Sequence, residues 1–182
     1  MKPIGPMMWE HRLIEKMLRL FEGEIRKINE SNKVDTLFID TAVDFIRTYA
    51  DRTHHGKEED ILFRELEKKD LSPEHARIMN ELIDEHKYSR EMVRKLVDAK
   101  ERYLMGENTS QEVISLLREL AQFYPVHIQK EDKLFFYPCM DYFTKEELEK
   151  MLDEFYEFDR KMIHEKYLKV VNQIEAQLLP TD

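Results

Sequence analysis

The chain has 182 residues, enough for one domain with a substantial core and short of two. Its net charge of −9 argues against nucleic acid as a partner, since that role calls for a basic patch. Its single cysteine, Cys139, excludes an internal disulfide framework and fits a reducing compartment. No apolar run reaches the ~20 residues that span a bilayer, and the N-terminus lacks the apolar stretch of a signal peptide. A cytoplasmic protein with no membrane partner is therefore expected. Only 4 Gly and 6 Pro among abundant Glu, Lys, Leu and Met favour long helices, so the fold class expected is all-α.

Taken in order, Pro6 suits a helix start, and Met7, His11, Ile14, Leu18, Phe21, Ile25 and Ile28 follow at alternating spacings of four and three. That is the seam of an amphipathic helix, with His11 where a hydrophobe belongs. A second helix is expected from about Val34 to Lys69, with the seam Ile39, Val43, Ile46, Ala50, His54, Glu58 and Ile61. Ser72 and Pro73 open a third, with Met79, Leu82, His86, Ser89, Val93 and Leu96 on its seam and Gly106 as its C-terminal cap. A fourth starts at 108–110 and carries Val113, Leu117, Leu120, Tyr124, His127, Glu131 and Leu134. Pro125 is expected to kink it and Pro138 to stop it. Thr144 to Glu147 reads as a capping box for a C-terminal helical segment towards Leu178.

One ten-residue phrase occurs twice. His54-His55-Gly56-Lys57-Glu58-Glu59-Asp60-Ile61-Leu62-Phe63 aligns without gaps on His127-Ile128-Gln129-Lys130-Glu131-Asp132-Lys133-Leu134-Phe135-Phe136. In each copy a His and a Glu four apart share one helix face. The depths agree as well. His11 stands 19 residues before Glu30, His54 20 after Val34, and His86 and His127 19 either side of the connection at 105–108. At about 1.5 Å per residue in antiparallel helices, His11, His54, Glu58, His86, His127 and Glu131 meet within a turn or so. Two carboxylates buried without partners would cost several kcal/mol each, and a metal cation is the usual remedy.

The expected centre is therefore a carboxylate-bridged pair of metals, and its mixed N/O ligation suits iron, manganese or zinc. Without metal, two facing carboxylates cannot both stay ionised cheaply, so one is expected to take up a proton. The repeat favours His54 over its neighbour His55, whose counterpart is Ile128. On that reading His54→Ala loses metal and His55→Ala keeps both. Glu15 is expected at the surface or behind the ligands, and His75, 11 residues before His86, in a structural role.

The order His11, His54-x3-Glu58, His86, His127-x3-Glu131 resembles the hemerythrin-like, or HHE cation-binding, domain. The likeness covers roughly Met8 to Leu178, and its most specific part is the two spaced pairs with their Ile-Leu-Phe and Leu-Phe-Phe tails. It implies one domain over 1–182. An up-and-down four-helix bundle would span about 6–137, with the additional C-terminal helical segment at about 144–178. It also implies a non-haem di-iron centre bridged by both glutamates and an oxo or hydroxo group. Respiratory members carry His-x3-His on the third helix, where this chain has His86 and Arg90. A further terminal nitrogen would have to come from His55 or His164. The resemblance points to a protein that binds dioxygen, nitric oxide or peroxide in sensing or detoxification. Alternatives are a di-iron peroxidase- or oxidase-type enzyme, or iron storage and delivery for repair of iron centres.

Overall fold

The computed structural model describes residues 3–178, with side chains through Met162 and at Lys166. All regular structure among them is helical. Helix α1 runs Ile4–Ser31. Helix α2 covers 36–66 as one helical path: an α-helical Thr36–Phe45, wider turns over Ile46–His55 and Glu58–Phe63, and a last α-helical turn Arg64–Leu66. Helix α3 is Pro73–Leu104. Helix α4 covers 110–139, with Ser110–Lys130 α-helical, Glu131–Phe135 wider, and Phe136–Cys139 α-helical again. Helix α5 is Lys145–Leu178, a single run without a break.

The ends are set by local chemistry. Asp35 caps α2 by accepting from the Phe38 amide at 3.0 Å. Ser72 caps α3 through the His75 amide at 3.2 Å, with Pro73 in the first turn. At its far end Gly106 (φ 95°) takes the left-handed conformation that lets Gly106 N–H reach the Tyr103 carbonyl and Glu107 N–H the Arg102 carbonyl, both at 3.0 Å. Thr144 and Glu147 form the reciprocal capping box of α5, at 2.8 and 3.2 Å.

Helices α1 to α4 close a ring in which α1 packs on α2 and α4, and α3 on α2 and α4; α5 lies outside against α2. Phe155 and Met151 sink into the core from α5, and Arg64 forks onto Glu154 at 2.8 and 2.9 Å. Two apolar clusters fill the ring. One is built on Ile14 to Ile28 of α1 and its neighbours at the same height, the other on Ile4, Met7, Ile61 to Leu66, Ile78 to Leu82 and Phe135 to Met140. His11, His54, His86 and His127 fall in the gap between them. The bundle is thus two apolar halves separated by a polar layer.

The expected seams are buried with one exception. Leu134 is 56% exposed and Phe135 takes the inward place at 0%. The wide turn over Glu131–Phe135 puts one more residue into the turn and rotates the inward position by one. Helix α4 passes through Pro125 as continuous α-helix, and its winding changes at Glu131 instead.

Candidate metal centre

All six expected residues enter the polar layer, and each is buried to 2% exposure or less. They arrive with a seventh, His55, which the repeat had set aside. The donors fall into two groups, each with ligand atoms within 4.8 Å of one another: His11, His54, Glu58 and Glu131, and His55, His86 and His127. The two glutamates face both groups. Glu58 turns Oε1 to His54 Nε2 at 3.4 Å and Oε2 to His86 Nε2 at 3.2 Å. Glu131 turns Oε2 to His11 Nε2 at 3.2 Å and Oε1 to His127 Nε2 at 3.0 Å. Each carboxylate is therefore placed to bridge.

Every imidazole has its own carboxylate at Nδ1. His11 donates to Asp132 at 2.8 Å, His54 to Glu10 at 2.8 Å, His86 to Glu59 at 2.6 Å, His127 to Glu85 at 2.7 Å, and His55 to Asp51 at 3.4 Å. Each of those carboxylates in turn meets a cation: Arg12, Lys57, Arg90, Lys130 and again Arg90. A proton held at Nδ1 leaves Nε2 free as the metal donor, and a carboxylate behind the ring fixes its orientation. Aromatic rings wall the layer: Phe136 is stacked on His11, Phe63 on His86 and Phe123 on His127.

The hemerythrin HHE cation-binding domain model matches residues 3–137, and a second time 77–179. The chain belongs to the hemerythrin HHE family. No curated protein and no solved structure matches it. The overlapping second match fits a chain whose His-x3-Glu phrase occurs on two helices.

The donors of this HHE domain fit a cation on their own chemistry. Both oxygens of Glu58, both of Glu131, His86 Nε2 and His127 Nε2 are buried with no hydrogen-bond partner. Buried carboxylate oxygens left so would cost several kcal/mol, and they all point at the space a cation would fill. Glu131, not the adjacent Asp132, is the inward carboxylate; Asp132 supports His11.

The electrostatics correct one expectation. In the metal-free chain His11, His86 and His127, not Glu131, hold the protons. Burial alone would lower His11, yet the Asp132 and Glu131 carboxylates outweigh it and hold it at about 10. His127 is held at about 9 against its burial by Glu131 and Glu85. His86 is raised well above its ordinary value, with burial opposed by Glu131, Glu58 and Glu59. Glu131 is correspondingly pulled well below the usual carboxylate range: burial would raise it, and His127 and His11 prevail. His55 goes the other way, pushed far down by burial and then by its imidazole neighbours, so it stands neutral and ready to donate.

Of the other candidates, Glu15 pairs with Arg12 at 3.2 Å outside the layer, and His75 hydrogen-bonds the Tyr142 hydroxyl at 2.8 Å. The side chain of His164 lies outside the described residues. Sequence reasoning left His55 open beside His164 as the source of a further nitrogen, and it missed Glu10, Asp51, Glu59, Glu85 and Lys57 as supports. Lys57 is fully buried between Glu10 and Asp159, the latter at 2.7 Å.

Proposed function

We propose that this HHE domain holds a di-iron pair that binds a small ligand such as dioxygen, nitric oxide or peroxide, in sensing or detoxification. The observation that carries this reading is the unequal division of donors. One position draws on three imidazoles and the other on two, while Glu58 and Glu131 serve both. An iron pair so held would supply electrons and one coordination place left short of protein donors, where a diatomic molecule or peroxide can enter. Manganese or zinc satisfies the same donor types, and iron is preferred because it adds redox chemistry to them.

The chain's own part is to orient, to shield and to exclude water. The Nδ1 carboxylates hold the rings, and the Phe63, Phe123 and Phe136 rings keep the layer dry. A dry layer strengthens each donor–cation interaction. A second reading, a peroxidase- or oxidase-type enzyme, draws on Tyr124. Its ring is stacked on His55 at 6.2 Å and its hydroxyl is buried without a hydrogen-bond partner, which places an oxidisable phenol beside the centre.

The test is optical. Protein loaded anaerobically with ferrous iron is exposed in separate samples to dioxygen, nitric oxide and peroxide. The expected result is a persistent new absorption with at least one of them and no continued consumption. Sustained peroxide consumption would favour the enzyme, and no spectral change with any ligand would overturn both readings.

A further inference from the structure

We infer that Arg90 is the positioning residue of one metal position only, the three-histidine one, because its single guanidinium fixes two of the imidazoles there and none at the other. The inference rests on the metal reading above. Arg90 Nε donates to Asp51 Oδ1 at 2.7 Å, and Nη2 donates to Glu59 Oε1 at 2.7 Å. Those same oxygens accept from His55 Nδ1 at 3.4 Å and from His86 Nδ1 at 2.6 Å. One planar fork from α3 thus reaches two carboxylates of α2, and each carboxylate holds one ring.

The supports of the other position are separate. His54 rests on Glu10, which Lys57 and, through it, Asp159 of α5 hold; His11 rests on Asp132, which faces Arg12 at 3.6 Å. His127, the third imidazole beside His55 and His86, rests on Glu85 and Lys130. Arg90 pairs instead with Asp51 and Glu59.

Two features make the two-ring support sensitive to this side chain. The Asp51–His55 hydrogen bond is the longest of the five, so the set of the His55 ring follows wherever Arg90 holds Asp51. Arg90 is also 37% exposed and lines two cavities, of about 270 and 320 Å³. Without the guanidinium, water reaches Asp51 and Glu59 and both can turn outward. Lysine cannot substitute, since a compact ammonium does not present two N–H edges in a fixed plane.

Calorimetric titration of the full chain with Zn²⁺ tests this. Wild type is expected to show two binding events. Arg90→Gln should weaken one of them 10–100-fold, the range found for outer supports of metal ligands, and leave the other unchanged. Arg90→Lys should weaken the same event, which also carries the test if Arg90→Gln fails to fold. Glu10→Gln should weaken the opposite event. In a His55→Ala background, Arg90→Gln should have no further effect on the metal that remains. Two events in Arg90→Gln within about twofold of wild type, equal weakening of both, or full restoration by Arg90→Lys would overturn the inference. Wild-type protein that binds no metal would instead overturn the metal reading on which it rests.

Discussion

His55 shows how far a single carboxylate can decide a histidine's role. Asp51 accepts a hydrogen bond from its Nδ1, its ring stacks on His86 at 3.9 Å, and it joins His86 and His127 as a group of three. His55→Ala is therefore expected to leave one metal per chain where wild type holds about two, read by metal analysis after removal of excess. His54→Ala should also leave one, but at the other position, so the double substitution should leave none. If His55→Ala keeps both metals, the repeat was the better guide after all. The other six donors were legible because each replaces a hydrophobe on a helical seam, which periodicity exposes directly. His55 lies one residue off its seam, and the copy that aligned it with Ile128 treated the two phrases as equivalent. They are not: one copy gives two imidazoles, the other one. The supports were illegible for another reason. Glu10, Glu59 and Glu85 are ordinary helix-surface residues until a neighbouring helix brings a ring to them, and Asp51 serves His55 one turn along its own helix.

At the scale of the element, α2 is the unusual helix, and its sequence carried the signal. Ile46, Ala50, His54, Glu58, Leu62 and Leu66 are all buried and recur every four residues. On a regular α-helix, five such steps would drift about 200° round the axis. The wider turns over Ile46–His55 and Glu58–Phe63 absorb that drift and keep the row facing inward. The same winding over Glu131–Phe135 turns Phe135 in and Leu134 out. Hydrophobic spacing placed the five helices, and Ser72, Gly106 and Thr144 were legible as caps while Asp35 was not. It did not show the change of winding, since a row of fours was matched to mixed threes and fours.

Gly56 sits within this stretch under α5. A Cβ there would meet Phe158 Cζ at 2.8 Å. Gly56→Ala should therefore lose the ~1 kcal/mol that alanine normally gains over glycine in a helix, and cost about 1–2 kcal/mol net through displaced packing. In a Phe158→Ala background the same change should become stabilising. Chemical denaturation of the four proteins measures the coupling, and equal effects in both backgrounds would show that α5 does not dock on α2 through this contact.

Across the whole molecule, a polar layer lies between two apolar clusters, and its charge state links stability to pH. His11 at about 10 and His127 at about 9 are raised from 6.5, so in the metal-free chain their contribution is complete below about 6.5. It is lost as pH rises through 9 and 10. The lowered Glu131 contributes above its ordinary 4.5 and loses that contribution only as pH falls through its depressed value. Metal-free protein should thus melt progressively lower from pH 6.5 to pH 9.5. Metal competes with protons for the same Nε2 atoms, so its affinity rises over that range. The melting-temperature gap between loaded and metal-free protein should therefore widen with pH, and a gap that narrows would mean that the layer's histidines are neutral without metal. Among the described residues no helix is long and apolar enough to cross a membrane.

On the proposed reading, five imidazoles and two bridging carboxylates form one centre for two metals. Iron analysis of protein reconstituted anaerobically with excess ferrous iron and then desalted tests it most directly. About two irons per chain are expected, one for each group of donors. Protein that retains none, while still folded as a helical bundle by circular dichroism, would contradict the account.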